Sequence, residues 1–405
     1  MADPAHRVLI AGAGPVGLIA ALALGRAGIP VTVLEQSPTP TVDLRASTFH
    51  PPTLDMLDEF GEPGELGITR RLIDNGLIAP RWQFRDRATG PVAIFDLGLL
   101  KNDTAHPYRV QCEQWKLIGY LLDDLKRIPE VEVRFGHAVN SVTQDADKVT
   151  VTAATAEGDK QFRGRYLIGA DGARSPTRKA MDLGFDGVTF PELFAVVSTP
   201  FRFEDVIPNL SQINYMSDPD EWLVLLRVRD FWRVLVPVDA AGREEDILAE
   251  ASVQARLQRV FARAEPYEVV HRTLYPVHQR VASDYQRGRV CIAGDAAHIN
   301  NPLGGMGMNG GIHDGLELAR LLIANWTRDD PAALGVYTRR RRPVAQDEVQ
   351  AATMRNRQLL NERDPAVRSA RLDDLRKIGQ DDALAYQYLL KSSMILGLRQ
   401  AATVT

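Results

Sequence analysis

The chain has 405 residues, with 48 Lys plus Arg against 52 Asp plus Glu and a formal net charge of −4. That balance gives no electrostatic case for nucleic acid, and the 45% hydrophobic content suits a globular protein with a sizeable core, as one large or two moderate domains. The most apolar stretch, Val8 to Leu24, carries three glycines and a proline, which fits a strand, turn and helix better than a membrane span.

Arg7-Val8-Leu9-Ile10-Ala11 is a short apolar run, read as a buried parallel strand. So early a start leaves no room for a signal peptide, and a cytoplasmic location is expected. Gly12-Ala13-Gly14-Pro15-Val16-Gly17 follows. Gly12 permits a tight turn, Gly14 has no Cβ and lets a pyrophosphate approach the backbone, and Gly17 lets the next helix pack on the strand. Residues 18–27 are predicted as that helix, with Gly28 as its C-terminal cap. Its N-terminus offers unpaired N–H groups and partial positive charge to phosphates. Residues 29–34 form a second strand, and Glu35 at its end lies about 20 residues past the glycines, where a ribose diol is bound. Strand, helix, strand and acid together predict a Rossmann-like dinucleotide unit.

Later segments extend this unit. A helix is predicted from Glu113 to Arg127, with strands around Val131-Glu132-Val133 and Val149-Thr150-Val151. Tyr166 to Ala170 is another apolar strand, ended by Asp171 in the spacing Asp-Gly-x-x-Ser-x-x-Arg. An aspartate there could simply cap a turn; the spacing favours a ligand-facing role. Arg289 to Ala293 is a further buried strand. It leads into Gly294-Asp295-Ala296-Ala297-His298, then Pro302 to Asn309, then a helix from Gly310 to Trp326. Between these pieces, β-like stretches at residues 80–95, 193–203, 212–216, 222–227 and 231–238 predict a second, mostly antiparallel sheet. An amphipathic helix over 244–264 lies against it. From Pro331 onward the chain reads as helical. The expected class is therefore α/β: a discontinuous dinucleotide domain (1–78, 105–190 and 285–325), an inserted β-sheet substrate domain (79–104 and 191–284) and a C-terminal helical region (326–405). The four arginines Arg339 to Arg342 read as a solvated helix end near Asp347 and Glu348 rather than a phosphate site. Cys112 and Cys291 are expected to be buried free thiols.

Three blocks, Gly12 to Gly17, Gly169-Ala170-Asp171-Gly172, and Gly294 to His298 with Pro302 to Asn309, together resemble the flavoprotein aromatic hydroxylases. These are single-component FAD monooxygenases of the p-hydroxybenzoate hydroxylase fold. The resemblance runs from about Val8 to Trp326, strong in the three blocks and weak between them. It implies bound FAD, with Gly12, Gly14, Gly17 and Glu35 at its dinucleotide end. Asp171 would lie where FAD and the nicotinamide cofactor both pass, and Asp295 would bond the ribityl chain, as a carboxylate accepting from hydroxyls. Gly305, Gly307, Met308 and Asn309 would form a helix N-terminus facing the flavin pyrimidine ring, where positive potential stabilises the anionic reduced ring. That segment also matches G-x-G-x-x-G, but a loop separates it from the strand and no acidic strand end follows, so a second dinucleotide site is not expected. Pro302 matches a proline beside the reactive face of the ring. Arg45 matches an arginine that contacts FAD and helps seat the nicotinamide. Gln111, taken to open the helix after Tyr108-Arg109-Val110, matches a glutamine that touches the flavin. His298 is expected to support its loop rather than to act in catalysis.

The resemblance further implies NADH or NADPH as a transient co-substrate, O₂ adding at flavin C4a, and hydroxylation of a small phenolic ring by the resulting hydroperoxide. Loss of the phenolic proton activates the ring and requires a base or a relay. His50 is the candidate base, with an ordinary pKa of about 6.5, and Tyr215 the candidate relay. Trp222, Trp232 and Arg227 or Arg229 are further candidate contacts. No metal is expected. The partners expected are a small aromatic substrate and O₂, with no membrane, and a homodimer as in many relatives. A flavin-dependent halogenase is a poorer fit, because no lysine precedes Lys101 and Phe231 to Pro237 lacks the Trp-x-Trp-x-Ile-Pro pattern. A prenyl-chain reductase of the same superfamily is separable by oxygen uptake, and a non-catalytic flavin module by flavin reduction that substrate does not stimulate.

Overall fold

A computed structural model describes residues 5–42, 46–61 and 67–405. The apolar run Val8–Ala11 is a central strand of a six-stranded sheet, with every residue at most 1% exposed. It pairs in parallel with Val31–Leu34 on one side and Tyr166–Gly169 on the other. Val131–Arg134 and Val290–Ile292 extend the sheet in parallel, and Gln286–Arg287 turns back antiparallel at one edge. Strands covered on both faces need apolar side chains throughout, which is why these runs were visible in the sequence. The helix between the first two strands is Pro15–Arg26, starting upstream of Leu18 because proline at the first helical turn gives up no needed N–H. It packs against the long helix Gly307–Asn325. Beside this layer, Ala138–Gln144, Val149–Thr155 and Gly158–Gly164 form a three-stranded antiparallel sheet.

The second large sheet has eight strands. In spatial order they are His298–Ile299, His271–Ala282, Phe185–Thr199, Trp232–Asp239, Leu223–Arg227, Ile213–Ser217, Arg81–Asp86 and Gly90–Asp96. Neighbours are antiparallel except Ile213–Ser217 and Arg81–Asp86, which run parallel. The expected mostly antiparallel sheet is therefore present. The strand His271–Ala282 went unread because Pro276 sits inside it, and proline usually marks the end of a central strand. Here Pro276 lies opposite Leu193, directly after a register shift in the partner strand, where the ladder is already interrupted.

Three local expectations need correction. Gln111 does not open a helix; it ends the strand Arg109–Gln111, which pairs with Thr48–Phe49 and Leu77–Ala79, and the helix begins at Gln114. The predicted helix over 244–264 breaks into Glu244–Ile247 and Glu250–Val260. The arginine run is no solvated helix end. Arg341 is 3% exposed and donates from Nε to Asp314 at 2.7 Å, Arg340 pairs with Glu317 at 2.7 Å, and Arg342 donates to the Ala282 carbonyl at 2.9 Å. Asp314 and Glu317 stand three apart on one helix and so share a face, which draws the arginines inward.

Downstream the chain is helical: Gly335–Pro343, a π-helix at Val344–Gln350, then Ala351–Leu360, Pro365–Gln380, Asp382–Ser392 and Ile395–Ala402. Pro343 removes a donor from a continuous helical run, and the next turn widens into the π-helix. Ion pairs of Arg357 with Glu192 and of Arg368 with Asp86 fasten these helices to the large sheet. Cys112 and Cys291 are free and buried. Among the described residues no helix is long and apolar enough to cross a membrane.

Candidate active site

The turn after the first strand is shaped by the chain's own packing. A Cβ at Gly12 would lie 2.3 Å from the Ala170 carbonyl oxygen, and one at Gly17 2.0 Å from that of Gly12. Gly14 differs: a Cβ there would meet nothing within 4 Å. It faces a cavity of about 310 Å³ lined also by Glu35, Gln114, Trp115, Asp171 and Gly172. Glu35 accepts from the Ala13 and Ser37 N–H groups at 2.8 Å each, so its carboxylate is fixed at the strand end beside the cavity. An open glycine face, a helix N-terminus and a fixed acid are what the pyrophosphate and ribose of FAD need, and the cradle fits the group.

Asp171 accepts from the Ser175 hydroxyl, from the Thr177 N–H at 3.0 Å and from the Thr177 hydroxyl at 2.6 Å. It therefore organises the start of the helix Pro176–Ala180 while lining the same cavity. Arg178 donates to the carbonyls of Ala173 and Ala296 at 2.8 and 2.9 Å and joins this block to the next.

In that next block Gly294–Ala296 is a single 3₁₀ turn with Asp295 exposed. Behind it His298 Nε2 lies 2.6 Å from Asp314, which also accepts from the Gly294 N–H at 3.2 Å and from Arg341. Burial alone would raise the Asp314 carboxyl; His298 and Arg341 outweigh it and hold the pKa at about 2. His298 thus braces its loop.

The helix Gly307–Asn325 starts three residues before the predicted Gly310. Asn309 is fully buried. It donates to the carbonyls of Thr48 and Gly305 at 2.8 and 2.7 Å and accepts from the His50 N–H at 2.9 Å. Its side chain is therefore used within the protein, and the helix end offers backbone N–H groups instead. Gly305 lies against Thr48, where an added Cβ would come within 3.0 Å. Pro302, Gly307 and Met308 are partly exposed beside it. Gln111 accepts from the Thr48 hydroxyl at 3.0 Å, and its buried Nε2 finds no partner. Arg45 lies outside the described residues.

Next to Gly304 and Met306 opens a second cavity of about 340 Å³, lined by Trp82, Arg109 and Tyr215 and, from the C-terminal helices, by Arg355, Tyr388 and Lys391. Trp82 stacks on Phe95 at 4.5 Å, and Phe95 stacks on Tyr388 at 4.7 Å. Arg109 was missed in the sequence. It stands in a strand between Tyr108 and Val110, where one arginine gives no sign of facing inward. It is 2% exposed, lies over the Trp82 ring, and uses Nη2 on the Ser392 carbonyl at 3.4 Å. Its Nε and Nη1 have no hydrogen-bond partner. Burial lowers its pKa, and burial raises that of Tyr215 against the pull of Arg109.

Of the expected substrate contacts, only Tyr215 lines this cavity. His50 is fully buried behind the loop, with Nε2 at 2.9 Å from the Gly304 carbonyl. Burial first, then Arg109, pulls its pKa well below 6.5, so it is neutral at neutral pH. Trp232 donates to Glu204, Arg227 pairs with Glu204 at 3.3 Å, and Arg229 donates to the Asp74 carbonyl at 2.6 Å. Trp222 meets Phe194 edge-on. Strand parity explains part of the split. Tyr215 and its partner Val224 point to the cavity side, whereas Leu223, Leu225 and Trp232 pack in a separate core.

Residues 5–352 match the protein family described as FAD binding domain. Para-nitrophenol 4-monooxygenase of a Pseudomonas species is 34% identical over 402 residues, covering 97% of this chain and 96% of that protein. A 6-hydroxy-3-succinoylpyridine 3-monooxygenase of Pseudomonas putida is 33% identical over 324 residues, 78% of this chain and 79% of the relative. The crystal structure of a p-nitrophenol 4-monooxygenase from Pseudomonas putida superposes with a TM-score of 0.90 at 31% identity, covering 97% and 98% of the two chains. With the glycine cradle and these likenesses in hand, the chain belongs to the FAD binding domain family and is an FAD-dependent aromatic monooxygenase.

Proposed function

We propose that the enzyme hydroxylates a small phenol held in the cavity beside Gly304 and Met306, with Arg109 and Tyr215 gripping the ring oxygen. The carrying observation is Arg109: a buried guanidinium with two unused donors at a cavity wall. A buried cation with no counter-charge and with donors left unused is costly, and a phenolate supplies both the charge and an acceptor. When bound, FAD supplies electron transfer from NADH or NADPH and the activation of O₂. The chain's own part is to bind, orient and ionise. Gly14, Glu35, Asp171 and Asp295 hold the cofactor, with Gln111, Pro302 and the segment Gly305 to Asn309 at its ring end. Arg109 favours the ionised phenol, which enriches the ring carbons ortho and para to the oxygen. Tyr215 shares that oxygen, and the rings of Trp82 and Tyr388 exclude water. Relatives named for p-nitrophenol support a phenol as substrate.

The test is to mix FAD-loaded enzyme with 4-nitrophenol at a pH where the free phenol is mostly protonated. The phenolate absorption band is expected to appear on binding, and NADPH is expected to bleach the flavin faster than without phenol. Arg109→Met should lose the band. If phenols neither ionise on binding nor speed bleaching, the reading fails.

A further inference from the structure

We infer that Arg355 and Lys391, carried on the C-terminal helices, form a second cationic pole of the substrate cavity. This pole selects phenols whose far substituent presents a pair of oxygen acceptors. The inference rests on the phenol reading above and names the substrate class within it. Three cations, Arg109, Arg355 and Lys391, line the cavity, and no carboxylate does among the described residues. Arg109 is buried and marks the inner part of the cavity, whereas Arg355 is exposed and Lys391 partly so, which places them towards its mouth. Arg355 makes no hydrogen bond or ion pair with any described residue. The carboxylate paired with Lys391, that of Glu348, stands 3.8 Å away, too far for a hydrogen bond. Asn356 and Ser392 add neutral polar groups to the lining. Tyr388 connects the two poles. Burial and Tyr215 raise its pKa, while Arg355 and Arg109 both oppose them, so its ring stands within reach of each charge.

The family match ends at residue 352, and Arg355, Asn356, Tyr388, Lys391 and Ser392 all lie beyond it. A guanidinium with free donors matches a planar pair of oxygens, as in a nitro or a carboxylate group, and charge-assisted bonds to such a pair are the strong ones. A methyl or hydrogen at that position leaves the outer cations with water alone.

The experiment measures dissociation constants of 4-nitrophenol, 4-hydroxybenzoate and 4-methylphenol for the FAD-loaded enzyme, by flavin fluorescence. The nitro or the carboxylate compound is expected to bind more tightly than the methyl compound, and the two arms show which of them the pole takes. In Arg355→Met/Lys391→Met that preference ratio should fall about tenfold, the worth of a hydrogen bond to a charged group. Arg355→Lys alone should keep part of it. Equal binding of the three phenols by the unaltered enzyme, or an unchanged ratio in the double variant, overturns the inference. An unaltered enzyme that binds none of the three overturns the phenol reading itself, whereas a preference ratio lost in Arg109→Met but kept in the double variant assigns it to the inner pole and overturns the outer one.

Discussion

A Cβ at Gly12 or Gly17 runs into the chain's own carbonyl oxygens, whereas one at Gly14 enters open space over the dinucleotide cavity. Gly14 is extended at φ −74°, a value open to any residue. Gly14→Val is therefore expected to change unfolding free energy by no more than about 0.5 kcal/mol, as surface substitutions do, yet to weaken FAD binding through collision with the pyrophosphate. Urea midpoints and a flavin fluorescence titration of the same variant separate the two effects. Normal loading would mean that the phosphates pass elsewhere. The sequence made the fingerprint legible because each glycine serves a backbone need with a fixed spacing. It did not reveal Arg109, and it offered Trp222, Arg227 and Trp232 beside Tyr215. Which face of a strand borders a cavity depends on pairing register, and register is set by partners far along the chain.

At the scale of elements, the apolar parallel strands and their helices were legible, since burial on both faces leaves an unbroken hydrophobic run. His271–Ala282 was not, because its proline is tolerated only through a register shift supplied by another strand. Nor was the role of the arginine run, which depends on carboxylates of the Gly307–Asn325 helix facing it. That contact matters for loading. Asp314 ties the helix to the Gly294 N–H and to His298, and so fixes the turn that presents Asp295. Asp314→Asn leaves Arg341 buried without its counter-charge, which costs about 3–5 kcal/mol. A lower urea midpoint together with a weaker flavin titration is expected. A midpoint that falls while FAD affinity stays intact would show that the turn is held without Asp314.

For the whole molecule, pH couples to stability through groups that the fold keeps from their ordinary charge. His313, fully buried with Nε2 at 2.8 Å from the Thr53 hydroxyl, is held by burial at about 3 against an ordinary 6.5. Between those values the unfolded chain takes a proton that the folded chain refuses. Stability is therefore whole above pH 6.5 and declines as pH falls towards 3, by at most about 1.4 kcal/mol per unit for one such group. His50 acts in the same direction. Asp314 adds a loss at lower pH, between its ordinary 3.8 and about 2. Urea midpoints are expected to fall steadily from neutral pH towards pH 4.5, and His313→Gln should flatten the slope. A level profile in the unaltered protein would contradict the burial of these histidines.

The pairing of Val8–Ala11 with Tyr166–Gly169, and of that strand with Val290–Ile292, has a consequence for synthesis. A nascent polypeptide emerging from the ribosome holds the glycine turn from the outset. It gains Val31–Leu34 soon after, but its other neighbour, Tyr166–Gly169, only after most of another hundred and fifty residues, and the helix Gly307–Asn325 later still. Arg81–Asp86 likewise waits for Ile213–Ser217. Unpaired strand edges thus persist through much of translation, and such edges are where a growing chain is open to aggregation.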